Sequence, residues 1–204
     1  MIIHIDPSGQ SERDNYKLLT GSIIPRPVAW VTTLADNGKV NAAPFSYFNI
    51  VTADPPMVSV SVQRKLGEPK DTARNAVREG EFVVHIGDET SILKLNQTAA
   101  SLPPDQSEVE FAGLTTVSSD VVRVPGLAEA KIRMECVLER SNPLEGTEAS
   151  PSTDLLIGRV VRFHVDDALL DHGRVLADVL QPVSRLAGNS YAKLGETFSL
   201  DRPL

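Results

Sequence analysis

The chain has 204 residues, is 41% hydrophobic and 23% charged, and carries 13 glycines and 14 prolines. That length suits a single domain over residues 1–204, which buries ~70% of the surface its unfolded form exposes and needs no disulfide or structural metal to fold. The composition excludes a disordered, collagen-like or coiled-coil chain, and the formal net charge of −7 argues against general nucleic-acid binding.

The first 22 residues read as a lead-in, with a short helical turn over Asp14 to Leu19. In Ile23-Ile24-Pro25-Arg26-Pro27 each proline fixes its own φ and pushes the residue before it into extended geometry, so Arg26 is held extended between two prolines. Val28 to Leu34 reads as a strand, with Trp30 in the core or at an interface. Asp36-Asn37-Gly38-Lys39 predicts a type I′ hairpin turn, and Val40 to Phe45 the returning strand. Ser46-Tyr47-Phe48-Asn49 is expected to be irregular, and Asp54-Pro55-Pro56 breaks the chain. In Met57 to Gln63, Val58, Val60 and Val62 face one way and Ser59 and Ser61 the other, the pattern of a half-buried strand.

Asp71 or Thr72 is the expected cap of a helix running through Arg78 and stopping at Gly80. Glu81 to Ile86 predicts a strand, and Asp88 to Ala100 a helix with Ile92, Leu95 and Ala99 on one face. Residues 101–120 lack a period and suggest an extended surface excursion. Lys131 to Arg140 alternates, Asn142 to Thr153 reads as a loop, and Leu155 to Val165 as a long strand. Val175 to Leu180 suits a short strand or helix, and the tail from Gln181 is expected to be irregular, with turns at Gly188 and Gly195. About six strands with two or three helices favour a β-barrel over a parallel α/β sheet.

Several chemistries lack their motifs. The four histidines are scattered, and one cysteine, Cys136, makes neither a thiolate zinc site nor an internal disulfide, which leans towards a reducing cytoplasm. The sequence contains no G-x-S-x-G elbow, no phosphate-binding P-loop and no G-x-G-x-x-G fingerprint, so a nicotinamide cofactor would not sit in a Rossmann crevice. Fixed-period repeats, a secretory leader and an apolar run near the ~18 residues of a membrane span are also missing.

One positive signal is local charge. Between residues 64 and 78, Arg64, Lys65, Lys70, Arg74 and Arg78 face only Glu68 and Asp71, a local excess of three positive charges leading into a helix start. A helix N-terminus beside Lys70 is suited to a phosphate, although ordinary surface charge explains the same run. The Ser59/Ser61 face and the Asn41-to-Asn49 segment add hydroxyls and amides that suit a planar heterocycle with an anionic tail; solvent-facing serines with Tyr47 and Phe48 in the core would look the same.

The run IIPRPVAWVTTLADNGKVNAAPFSYFNIVTADPPMVSVSVQRK, followed by KDTARN, resembles the flavin reductase-like family of FMN-binding split-barrel proteins. The order of N-A-A-P-F-S-Y-F-N, D-P-P, K-D-T-x-x-N, Arg185-Leu186-Ala187-Gly188 and Tyr191 to Glu196 carries the resemblance from about Tyr16 to Phe198. It implies a mainly β fold, a six-stranded Greek-key split β-barrel with peripheral helices, in a cytoplasmic homodimer with flavin near the interface. Carried over by position, Arg26, Pro27, Val28 and Ala29 lie near the flavin. Ser46, Tyr47, Phe48 and Asn49 contact the ring edge, and Ser61, Val62, Gln63 and Arg64 run beneath the ribityl chain. Lys70, Asp71 and Thr72 approach the phosphate, with Asp71 as suited to capping the helix as to meeting a ligand, and Tyr191 and Lys193 close the site from the tail.

The implied activity is an NADH- or NADPH-dependent flavin reductase passing hydride to flavin N5, with a monooxygenase or other electron acceptor as partner and without membrane or nucleic acid. Such a flavin carries the redox chemistry itself, which accounts for the lack of a catalytic His, Cys or carboxylate pair. A non-catalytic, flavoredoxin-like electron carrier is the alternative. A barrel that has lost flavin and serves as an interaction module is a second, against which the Lys70-Asp71-Thr72 and Ser46 pattern speaks.

Overall fold

The structure, a computed structural model, describes residues 1–103, 106–146 and 151–203. The chain opens with helix α1 (Glu12–Ser22), then strands β1 (Arg26–Pro27), β2 (Ala29–Leu34), β3 (Val40–Phe45), β4 (Phe48–Ala53) and β5 (Pro56–Gln63). Helix α2 (Asp71–Glu79) leads to β6 (Glu81–Ile86), helices α3 (Ile92–Gln97) and α4 (Glu108–Phe111), and the short strands β7 (Thr116–Val117) and β8 (Gly126–Leu127). The long strands β9 (Ile132–Glu145) and β10 (Pro151–Val165) follow, then β11 (Leu170–Asp171), β12 (Arg174–Val175), α5 (Ala177–Leu180), β13 (Val183–Arg185) and β14 (Tyr191–Lys193).

Among the described residues the main sheet has seven strands in the order β3-β2-β6-β9-β10-β5-β4, and every pairing is antiparallel. Strands β3 and β4 are its two edges, yet only Ser46 and Tyr47 separate them in sequence. From Phe45 to Phe48 the chain takes three residue steps and spans no more than ~11 Å, so the sheet must curl until the ends of its two edge strands lie close together. The backbone N–H of Ser61 donates to the Tyr47 carbonyl at 2.9 Å, which carries the β4–β5 ladder back into that link. The result is a barrel of seven strands where six were expected.

Its interior is filled by Val31, Val58, Val60, Val62, Phe82, Val84, Cys136 and Leu156, and α2 adds Ala73 and Ala76 to the same cluster. The period of two in β5 is borne out, with Val58, Val60 and Val62 at most 5% exposed. Strand β2 is buried on both faces: Ala29 and Val31 enter the barrel, while Trp30 joins Ala42, Leu95, Val109 and Leu127 outside it. The Trp30 indole N–H donates to Thr98 Oγ1 at 2.9 Å, the partner a buried indole needs.

Several expectations are corrected. The lead-in turn is a full helix, because Ser11 accepts the Asp14 N–H and acidic residues fill the first turn. The 36–39 turn is not type I′: only Gly38 takes positive φ (80°), and Ala35 N–H bonds the Lys39 carbonyl across a glycine bulge. Phe48 and Asn49 begin a strand instead of an irregular segment, driven by β-branched Ile50, Val51 and Thr52. Lys70, not Asp71 or Thr72, stands at the cap position of α2, whereas the stop at Gly80 (φ 71°) is as predicted. Helix α3 starts only at Ile92, because Asp88 Oδ1 accepts the Thr90 and Ser91 N–H groups and holds 88–91 as a turn. Ala99 is exposed, and Thr98 is buried in its place.

The expected surface excursion is instead fastened to the barrel. Val109 is 5% exposed, and Ser107 Oγ donates to the Val40 carbonyl at 2.6 Å. Much of the expected 142–153 loop is strand, with Pro151 opposite Glu145 and Asp154 opposite Pro143; residues 104–105 and 147–150 of these two expectations lie outside the described residues. The tail forms the hairpin β13–β14 on β1. No described helix is long and apolar enough to cross a membrane.

Two buried titratable groups tie the barrel wall to its coverings. His85 Nδ1 lies 2.7 Å from the Trp30 carbonyl, and Nε2 accepts the Leu127 N–H at 2.9 Å, an arrangement that needs a neutral ring protonated on Nδ1. Burial pushes its pKa down to about 4. Burial opposes ionisation of Glu135, but a bond from His164 and three from the backbone N–H groups of Asp120, Val121 and Val122 outweigh it and hold this carboxyl at about 2.

His85 takes up a proton more readily unfolded than folded. Its contribution is therefore intact above about pH 6.5 and lost as pH falls towards 4, by about 3 kcal/mol in full. Denaturant midpoints measured from pH 7 to 4 should fall through this window, and His85→Gln should flatten that slope. An unchanged slope in the variant would refute the assignment.

Candidate functional site

Strand β3 and the start of α2 form the wall of a two-part groove. The wider hollow, about 400 Å³, is lined by Asn41, Lys65, Lys70, Thr72, Ser101 and Glu108 among others. The narrower, about 150 Å³, is lined by Tyr16, Ser46, Tyr47, Ser61, Gln63 and Lys70. Pro44, Phe45 and Lys70 border both, so the two are one groove with Lys70 at the junction. The wider hollow falls within the ~300–1,000 Å³ range of small-molecule sites.

A polar chain stiffens the wall of the wider hollow. Thr72 Oγ1 donates to Asn41 Oδ1 at 3.0 Å, and Asn41 Nδ2 donates to Glu108 Oε2 at 2.8 Å. Thr33 Oγ1 and Asn75 Nδ2 continue the chain on its buried side at 3.2 Å each. Thr72 and Asn75 are 2% exposed, so these rotamers are fixed by packing as well as by hydrogen bonds.

The five cations of residues 64–78 do not act together. Arg64 forms a two-pronged pair with Asp154, at 3.0 Å from Nε and 2.7 Å from Nη2, and donates to the Gly67 carbonyl. Arg74 pairs with Asp71 and Arg78 with Glu79. Among the described residues, Lys65 and Lys70 have no carboxylate at ion-pair distance, and both line the wider hollow. Crowding by neighbouring atoms, then the charge of Lys65, pulls Lys70 below the ordinary lysine pKa. An anion between these two ammonium groups and the first turn of α2 would relieve that repulsion.

Seven of the predicted residues line the groove: Ser46, Tyr47, Ser61 and Gln63 in the narrow part, Asp71 and Thr72 in the wide part, and Lys70 in both. The others lie elsewhere. Val28, Ala29 and Val62 are at most 4% exposed, which leaves them their backbone alone as a contact. Phe48 packs on the barrel core, and Pro27 and Asn49 are exposed outside the two hollows.

Arg26, 6% exposed, donates to the carbonyls of Thr20, Ile23 and Leu186 at 2.7 to 2.9 Å and reaches Ser46 Oγ at 3.4 Å. It acts on the groove through Ser46. Tyr191 lies under the Arg185 guanidinium, 4.6 Å from ring centroid to Cζ, and Lys193 pairs with Glu89. Neither lines the two hollows.

Glu108 lines the site without having been singled out for it, whereas Asn41 was named at the head of the Asn41-to-Asn49 segment. Lys65 stood in the basic run, but Glu108 lies 67 residues from Asn41, and no local pattern connects them.

A family model described as Flavin reductase like domain matches residues 20–179. Among solved structures, nitrilotriacetate monooxygenase component B from Bacillus cereus is 63% identical, with a TM-score of 0.96 over 98% of this chain and 99% of that one. The 2-nitrobenzoate 2-nitroreductase NbaA of Pseudomonas fluorescens is 32% identical, with a TM-score of 0.88 over 98% and 96%. A chain from Shewanella frigidimarina described as having a split barrel domain is 19% identical, with a TM-score of 0.84 over 98% and 100%, a likeness of fold.

The Arg64–Asp154 pair braces the rim from behind and does not face the groove. Arg64→Ala and Asp154→Ala should each lower the thermal midpoint, and the double variant should lose less than the sum of the two. Additive losses would show that the pair is not coupled.

Proposed function

We propose that this chain, which belongs to the flavin reductase like domain family, binds FMN in the groove and moves reducing equivalents through it from NADH or NADPH. The observation that carries the reading is the pair of ammonium groups, Lys65 and Lys70, left without carboxylate partners where the groove meets the first turn of α2.

The residues present fit the cofactor. Lys65, Lys70 and the unpaired backbone N–H groups of the first turn of α2 would hold the phosphate. Asp71, the one carboxylate in that turn, is already bound to Arg74 and is not free to oppose it. Ser46, Tyr47 and Ser61 stand at the narrow end, where hydroxyls and peptide groups can meet the edge of a ring. Burial, then the neighbouring Tyr16, raises the Tyr47 pKa, while Arg26 lowers it less, so its hydroxyl keeps a proton to donate at neutral pH.

Bound flavin supplies the hydride and one-electron chemistry itself. What this chain adds is position. Arg26 anchors Ser46 to α1 and the tail, and the Thr72–Asn41–Glu108 chain keeps the opposite wall from shifting. Among the described residues neither hollow is lined by a histidine or cysteine, which accords with a protein that orients a redox cofactor and leaves proton transfer to solvent or substrate.

The reading is of a cytoplasmic homodimer that delivers reduced flavin to a partner monooxygenase, and the 63% identity to a monooxygenase component B supports the choice of partner. Flavin-type absorption of the purified protein, alone or after adding FMN, tests the cofactor; a protein that stays colourless and binds no FMN would refute the reading. Oxidation of NADH or NADPH with excess FMN is expected, whereas flavin binding without turnover would favour an electron carrier.

Lys70→Ala should weaken FMN binding about tenfold or more and riboflavin much less, since a charge-assisted contact contributes ~1.5–3 kcal/mol and only FMN has the phosphate. Fluorescence titration reads this, and equal losses would place Lys70 away from the phosphate.

A further inference from the structure

We infer that Arg26 makes the narrow hollow favour a ring that carries negative charge, and that it does so through the hydroxyl of Ser46. Arg26 is then a positioning residue whose charge raises the reduction potential of a redox ring held there. The inference deepens the flavin reading and rests on it for the occupant of the hollow.

The first support is an enclosed charge without a counter-charge. Arg26 is 6% exposed, and its guanidinium donates to three backbone carbonyls and to Ser46 Oγ. Carbonyls satisfy its N–H groups but leave its charge in place. Among the described residues no carboxylate lies at ion-pair distance from Arg26. The residue opposite it, where β1 pairs with β13, is Arg185, a second cation. A cation enclosed in this way gains from any negative charge that comes close.

The second support is the route from that charge to the hollow. Ser46 lines the narrow hollow, and its Oγ accepts the Arg26 Nε–H at 3.4 Å. A hydroxyl has one proton, and among the described residues Ser46 gives it to no acceptor. That proton is left for a ligand, on an oxygen already polarised by a cation. Tyr47 lines the same hollow and feels the charge too: burial and then Tyr16 raise its pKa, and Arg26 draws it down.

The third support is that the other cations of the groove are engaged. Arg64, Arg74 and Arg78 pair with carboxylates, and in the flavin reading Lys65 and Lys70 hold the phosphate. Among the described residues no carboxylate lines the narrow hollow. A negative ring would therefore meet the hydroxyls of Ser46 and Tyr47, with Arg26 behind them and no acidic side chain against it.

Hydride from NADH or NADPH brings two electrons and one proton to a neutral flavin ring and leaves the nicotinamide oxidised. The ring then bears one negative charge, which a nearby cation and oriented donors stabilise. Holding the reduced form more tightly than the oxidised form raises the potential, by about 30 mV per tenfold for a two-electron couple.

Spectroelectrochemical titration of the FMN-loaded protein is the test. The wild type is expected to bind reduced FMN about tenfold or more tightly than oxidised FMN, a potential about 30 mV or more above that of free FMN. Arg26→Gln removes the charge and Ser46→Ala the donor, and each should lose about half of that shift or more. Arg26→Lys keeps the charge without the fork. It should hold most of the shift even where the thermal midpoint falls, which a purely structural arginine does not predict. If Arg26→Gln fails to fold, Ser46→Ala and Arg26→Lys decide. Without cofactor, ultraviolet titration should show a higher Tyr47 pKa in Arg26→Gln, with Tyr47→Phe marking the step.

Bound FMN at or below the potential of free FMN overturns the inference and leaves the flavin reading standing. So does a shift that neither charge removal nor Ser46→Ala moves, or a Tyr47 step unmoved by Arg26→Gln. A protein that binds no FMN overturns both.

Discussion

The architecture depends on a two-residue link. Ser46 and Tyr47 connect strands at opposite edges of a seven-stranded sheet, and so short a connection forces the sheet to curl. The link brings one end of each edge strand together, although β3 pairs only with β2 and β4 only with β5, so the two strands share no ladder. It also determines where ligands can go. The interior is filled by valines and Phe82, so a ligand has to lie outside the barrel, and the seam with its flanking helix α2 offers the concavity.

The groove combines rigidity from several distant parts of the chain. Thr72 comes from α2, Asn41 from β3 and Glu108 from α4, and each is held by the next. Of five cations concentrated in one stretch of sequence, three are neutralised by partners that set the local structure. Only Lys65 and Lys70 remain for an outside anion. The basic stretch does border the groove, but its net charge did not show which of its side chains are left without a carboxylate partner.

What the sequence disclosed and what it hid follow from the same physics. Strand β5 was legible because one face is buried and the other is not, so its pattern has period two. Strand β2 carries no such alternation, since both its faces are covered, and it was read from its β-branched residues alone. The ends of β9 and β10 looked like a loop because Pro143, Gly146 and Pro151 belong to turn chemistry, yet pairing with a neighbour overrode local preference. The segment after α3 looked detached because it is fixed by polar contacts of Ser107 and Glu108 and by the isolated apolar anchor Val109, which together leave no apolar period. Family resemblance carried Arg26 towards the flavin; its guanidinium is turned instead to backbone carbonyls, and its effect on the groove passes through one serine hydroxyl.

That arginine ties together parts of the protein far apart in the chain. Its planar fork collects carbonyls from the last turn of α1 and from Leu186, 160 residues away, beside the connection of β1 to β13. A guanidinium enclosed this fully has no water to fall back on. Removing the C-terminal hairpin would therefore do more than shorten the molecule: it would orphan one prong of a buckle whose other prongs secure the N-terminal helix, and slackness would spread from the tail into the ligand cleft without any change to the cleft's own lining.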